Sequence, residues 1–258
     1  MEKKLDAPFG LDRVFSKKTV VISPATFPES EFNYPTLKNL LPSFIHEKTL
    51  AAETSGSFSA HTMFVDLSGF TALTNKLMER GPAGAEEMSL VLNHVFSPTV
   101  RLVYAAGGFI PYFAGDSFTA IFSENSAKTI LQTAVEIRET IAKLNENEVF
   151  NDHNIGVKIG LGHGTVEWGI VGEQAKGFYF RGGAIDACAM AQAEAGKFEI
   201  MAEAGFWGNA APAAGFVPDG GRFFRLPPGT GFFKKNGSVV SAGDFREIPV
   251  RRRASRPR

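Results

Sequence analysis

The chain has a single cysteine, Cys188, among its 258 residues. No intramolecular disulfide can form, so the sequence fits a reducing, cytoplasmic compartment, with the thiol serving as packing. Net charge is also missing, because 27 basic and 27 acidic side chains cancel. That removes the electrostatic case for nucleic acid or an anionic membrane surface as the main partner. Nowhere do about 18 apolar residues run together, as a membrane span would require. The opening "MEKKLDAPFGLDRVF" has no apolar core of the kind a secretory leader needs. The five histidines, at 46, 61, 94, 153 and 163, follow no metal-ligand spacing. His163 in "GLGHG" reads as a structural turn residue, and no internal repeat stands out.

What is abundant is apolar and aromatic. Hydrophobic residues make up 44% of the chain and 24 residues are Phe, enough for a thick core. Residues 1–55 read as a lead-in with short helices, the last of them broken at Pro42 and followed by a polar, flexible stretch, "AETSGSFSAH". A strand follows, "TMFVDL" at 62–67, and runs straight into the helix of "SGFTALTNKLMER", with Ser68 as its expected cap.

A longer helix is expected to kink at Pro98 and to end at Gly107-Gly108. Then "IPYFAGDSFTAIF" reads as a hairpin turning at Gly115-Asp116, and "AKTILQTAVEIRETIAKLNE" carries the apolar spacing of an amphipathic helix. Two strands, "IGVKIGLGHG" and "TVEWGIVG", are expected to meet at His163-Gly164, with a helix over "GGAIDACAMAQAEAGK" and a strand at "FEIMAE" after them. This alternation specifies an α+β domain, a sheet with helices packed largely on one face, over residues 56–205. Residues 206–246 read as a β-rich extension of that domain, and 247–258 as a disordered basic tail that serves as a solvated linker.

Two carboxylates share one structural setting. Asp66 ends an apolar strand beside a strand-to-helix turn, and Asp116 sits at a hairpin tip, so both can meet at one sheet edge. Carboxylates a few Å apart repel unless a cation lies between them, which points to Mg²⁺ or Mn²⁺. The helix start after Asp66 offers main-chain N–H groups and the positive end of a dipole to a phosphate chain. The combination points to a nucleoside triphosphate site.

Over these stretches the chain resembles the class III nucleotidyl cyclases, the adenylyl and guanylyl cyclase catalytic domain. "MFVDLSGFTALTNKL" and "GGFIPYFAGDSFTAIF" are similar to the family's two metal motifs, and "VKIGLGHGTVEWGIVG" and "FRGGAIDACAMAQAEA" to its later strand pair and dimer-side helix. In detail, including "LPSFI" upstream, the resemblance is to the first cyclase domain of the bicarbonate-responsive soluble adenylyl cyclases. It implies a ferredoxin-like, palm-type fold. It further implies two metal ions on Asp66 and Asp116 with the Leu67 carbonyl, and triphosphate contacts across Ser68, Gly69, Phe70 and Thr71. The reaction implied is formation of a 3′,5′-cyclic nucleotide and pyrophosphate from ATP or GTP.

In this family the site lies at a head-to-tail dimer interface, whose opposite face supplies a base-reading lysine and acid, an asparagine and an arginine. The matching positions here hold Tyr112, Tyr179, Asp186 and Met190. A phenol does not replace the ammonium, and a thioether cannot neutralise developing phosphate charge. The bicarbonate lysine and arginine correspond to Tyr112 and Ala189. The resemblance therefore implies the metal-bearing half of a cyclase that needs a second domain to supply the Lys and the Asn/Arg pair. The alternative is a regulatory pseudocyclase that binds nucleotide and metal without turnover. A diguanylate cyclase is disfavoured because "AGDSF" lacks the "GGDEF" set.

Overall fold

The computed structural model describes residues 41–229 except 124, 148–149, 151–154, 174–175 and 209. The lead-in before residue 41, the extension beyond 229 and the basic tail lie outside the described residues. In chain order the elements are α1 (Ser43–Leu50), β1 (Ser55–Ser68), α2 (Phe70–Met78), α3 (Pro82–Ala105), β2 (Phe109–Ala114), β3 (Ser117–Phe122) and α4 (Ala127–Glu146). There follow β4 (Gly156–Val171), β5 (Gly177–Arg181), α5 (Gly183–Glu194), β6 (Ile200–Glu203), a 3₁₀ turn (Ala204–Trp207), β7 (Val217–Asp219) and β8 (Phe223–Leu226).

The strands form one sheet in the order β2-β3-β1-β4-β6-β8-β7, with β5 added against β4. All pairings are antiparallel except β4 with β6. Alternation along β1 sends Met63, Val65 and Leu67 into a core closed by Leu73 and Leu77 of α2, Val91 and Val95 of α3, and Ile130, Ile137 and Ile141 of α4. On the other side, Ala60, Val166, Trp168 and Phe180 meet Ile45 of α1 and Ala184 and Ile185 of α5. Three helices thus cover one face, and α5 with short α1 covers the other. Thr62 ties β1 to α5 by donating its hydroxyl to the Ala184 carbonyl at 2.6 Å.

The closeness of α5 to the sheet is dictated by glycine. A Cβ at Gly160 would lie 2.0 Å from the Cys188 carbonyl oxygen and 2.3 Å from the Gln192 nitrogen. No side chain fits there, so the α5 backbone lies directly on β4.

Several boundaries differ from the sequence reading for identifiable reasons. Residues 55–61, expected as a flexible break, are the first half of β1. They pair with the far half of β4 from Ser55↔Gly169 to His61↔His163, with Phe58 and Ala60 turned inward and Ser57 and Ser59 exposed. The two strands expected to meet at His163-Gly164 are the single strand β4, and β1 pairs straight across the glycine at Ala60↔Gly164. The second half, expected to fold back on the first, pairs instead with β5, built from "GFYFR".

Ser68 is the last residue of β1, and the cap position of α2 belongs to Gly69, at φ +86°, with no side chain capping the helix. Helix α3 runs through Pro98 as one element. It ends as expected, with Gly107 N–H donating to Tyr104 O and Gly108 N–H to Val103 O, both at 3.0 Å. Pro42 stands at the start of α1, and the segment before residue 41 lies outside the described residues.

Candidate functional site

The hairpin tip is held from three sides. All six residues of β3 are buried, and the Ser117 hydroxyl donates to Ala114 O at 2.9 Å, closing the turn at Gly115-Asp116. The Phe113 ring meets Phe96 of α3 at 5.5 Å and Phe118 at 5.6 Å. Because β1 and β3 are adjacent with Asp66 opposite Ser117, the register sets Asp66 beside the turn residue Asp116. The Leu67 N–H donates to the Asp116 carbonyl at 3.3 Å, which locks the tip to the end of β1. The two aspartates expected to converge are therefore brought together. Burial holds the Asp66 carboxyl above its ordinary range, the nearby Asp116 charge pushes it further up, and Lys158 works against both.

The rest of the predicted set lies at the same edge. Ser68 follows Asp66 by two residues on one face of β1, and its hydroxyl oxygen is buried with no hydrogen-bond partner among the described residues. Gly69, Phe70 and Thr71 form the α2 start, where the first N–H groups have no intrahelical acceptor and no side-chain cap. Such an end, beside an orphaned hydroxyl, has the polar groups that bind a phosphate.

Two further residues of this edge lie in stretches quoted for the family resemblance but were assigned no role there. Lys158 sits directly opposite Asp66 across the β1–β4 ladder. It is the one charged residue in "GVKIGLG", and correct pairing of the strands would have exposed it. Gln192 of α5 donates its Nε2–H to Asp66 Oδ2 at 3.0 Å. It lies in "FRGGAIDACAMAQAEA", and Gly160 is what lets α5 come so close.

The residues at the expected partner-side positions lie elsewhere. Tyr112 stands opposite Thr119 on the β2–β3 ladder. Burial pushes its phenol up, the Thr119 side chain acts against that, and Cys188 and Asp186 of α5 lie close enough to add to it. Burial drives the Cys188 thiol up to about 12, so it stays a neutral packing group, as expected. Tyr179, over Gly169, has the Arg181 guanidinium 5.6 Å from its ring. Met190 is exposed on α5. His163, read as a turn residue, is instead mid-strand, with its ring 4.4 Å from His61 and its Nε2 3.3 Å from Ser59 Oγ.

Fold and site together define a palm-type α+β domain with paired carboxylates beside an uncapped helix start. Residues 54–204 match the model of the adenylate and guanylate cyclase catalytic domain, and the chain belongs to that family. Among curated proteins it is 33% identical over 159 residues to adenylate cyclase type 10 of Rattus norvegicus, covering 58% of this chain and 10% of that protein. The Homo sapiens adenylate cyclase type 10 is 32% identical over the same length and coverage. The chain thus spans about a tenth of these relatives. The fold is shared with the guanylyl cyclase Cya2 at TM-score 0.54 and 19% identity, over 68% of this chain and 94% of that one. A bacterial light-regulated adenylyl cyclase reaches 0.59 at 19% identity, over 74% and 59%.

No helix among the described residues is long and apolar enough to cross a membrane.

Proposed function

We propose that this domain supplies the metal-bearing half of an adenylyl cyclase site. It would convert ATP to 3′,5′-cyclic AMP and pyrophosphate together with a second domain that carries the base-reading Lys and the Asn/Arg pair. The observation that carries this reading is the convergence of Asp66 and Asp116 beside the uncapped start of α2 and the orphaned Ser68 hydroxyl.

The donor set suits Mg²⁺ or Mn²⁺. Among the described residues no cluster of three or more His, Cys, Asp or Glu side chains is arranged to hold an ion. Two carboxylates completed by the Leu67 carbonyl, substrate phosphates and water are the pattern these hard cations accept. When bound, two such ions would supply Lewis-acid chemistry, favouring ionisation of the ribose 3′-hydroxyl and offsetting charge on the leaving pyrophosphate.

The chain's own residues orient the substrate. Asp66 and Asp116 hold fixed negative charge at the sheet edge. The N–H groups at Phe70 and Thr71 and the Ser68 hydroxyl receive phosphate oxygens, and the Lys158 ammonium adds positive charge from the neighbouring strand. In the overall step the 3′-oxygen bonds to the α-phosphorus as the bond to pyrophosphate breaks, and the hydroxyl proton leaves to water.

The test is product formation from ATP and from GTP with Mn²⁺, by the chain alone and mixed with a domain carrying the complementary residues. The expected result is weak or no turnover alone and clear cyclic AMP formation in the mixture, lost in Asp66→Asn. Robust turnover by the chain alone would sink the half-site reading. Metal-dependent nucleotide binding without turnover in the mixture would support the regulatory pseudocyclase, which is favoured by one observation: a neutral Tyr112 stands opposite Thr119 where the family carries a cation.

A further inference from the structure

Asp66 is held by a side chain from a different element. Gln192 lies in the last turn of α5, and its Nε2–H donates to Asp66 Oδ2 at 3.0 Å. The fold builds this contact. With no side chain at Gly160 the helix backbone rests on β4, and Gln192 reaches across that strand to β1. The same turn is anchored by Ala191 and Ala195, buried against Met201 of β6.

Its exit is tied down as well. Ala195 N–H donates to Gln192 O at 3.0 Å and Phe198 N–H to Val157 O at 2.7 Å. The Gly196 N–H donates to a Glu199 carboxylate oxygen at 2.8 Å. Gln192 is therefore presented to Asp66 by a braced segment.

We propose that Gln192 is a positioning residue for Asp66. Its amide fixes the carboxylate rotamer by engaging Oδ2, and leaves Oδ1 uncommitted by this bond for a divalent cation. The chemistry of the group suits the task. A primary amide donates without bringing a positive charge that would compete with the cation, or a further negative charge beside Asp66 and Asp116. Hydrogen-bond partners of ligating groups commonly account for about 10–100-fold in metal affinity. The inference rests on Asp66 and Asp116 forming a divalent-cation site.

The experiment is Mn²⁺ binding to the purified, nucleotide-free chain, read from the electron paramagnetic resonance signal of free Mn²⁺, with melting midpoints measured in parallel. Wild type should bind Mn²⁺, and Asp66→Asn should lose that binding. Gln192→Leu, which keeps the bulk and removes the donor, should bind about tenfold more weakly. Gln192→Met, a slimmer apolar replacement, carries the same expectation should the leucine fail to fold. Wild-type affinity in both apolar variants, or tighter binding, overturns the positioning role and leaves the cation site standing. Absence of Mn²⁺ binding in wild type, or unchanged binding in Asp66→Asn, overturns the cation site and the proposal with it. A lower melting midpoint at unchanged affinity would mean that Gln192 only braces α5, and also overturns the proposal.

Discussion

The two ends of the sheet face beneath α5 both carry titratable side chains, in different states. At the Asp66 end a carboxylate is half-buried beside a second carboxylate, and its charged form is disfavoured by burial and by Asp116. At the Tyr112 end a phenol is matched to Thr119 and a thiol is buried as a neutral group. The first end holds two like charges and an orphaned Ser68 hydroxyl, features costly unless a ligand answers them. The second presents Tyr112 and Cys188 as neutral groups, with no pair of like charges to offset.

The contrast breaks most sharply at the hairpin tip. Asp116→Asn removes one of two negative charges from the first end and nothing from the second. Turnover in the two-domain mixture should fall at least about a hundredfold, close to 3 kcal/mol of transition-state stabilisation. Tyr112→Phe should leave that rate within about twofold, and both are read from cyclic AMP formed per unit time. Next in size is Gly160→Ala, which strikes both ends by lifting α5. Its Cβ would meet main-chain atoms at 2.0 and 2.3 Å, so urea unfolding should show a loss of about 3 kcal/mol.

These ends differed in how far they could be read from sequence. Asp66 at a strand end and Asp116 in a Gly-Asp turn are local patterns, and adjacency of β1 and β3 was enough to bring them together. The start of β1 was hidden because Ser55, Gly56 and Ser57 have weak strand preference, and only pairing with the full length of β4 makes them a strand. β4 was divided in two because Gly162, His163 and Gly164 look like a turn, whereas the neighbouring strand holds them extended. Lys158 required the register between β1 and β4. Gln192 required the depth at which α5 packs, which no periodicity encodes. What was missed thus depends on distant pairing, and what was found depends on neighbours in the chain.

A smaller test concerns Tyr112 itself. Removing the hydroxyl of Tyr112, a residue more than a third exposed, should lower stability by no more than about 0.5 kcal/mol, seen as a small drop in urea midpoint with an unchanged slope. Asp66→Asn should move the other way at neutral pH, because it removes a charge that the metal-free fold disfavours. Its melting midpoint without added metal should rise by about 2 °C.

The pH dependence of stability separates these charges from a pair on the opposite face of β1. His61 is held below its ordinary value by burial first and by His163 second. The unfolded chain therefore takes up the proton more readily than the folded one. Stability from this group is complete above about 6.5 and is lost as pH falls below that value. Asp66 has the reverse sign, since its carboxyl is held up in the fold, so its contribution declines as pH rises from about 4. Melting midpoints measured between pH 4 and 8 should fall less toward acid in His61→Gln than in wild type. Asp66→Asn should fall more steeply than wild type over the lower half of that range, because it forfeits the acid-side gain. Parallel curves for all three proteins would mean that neither burial acts on these groups as their surroundings require.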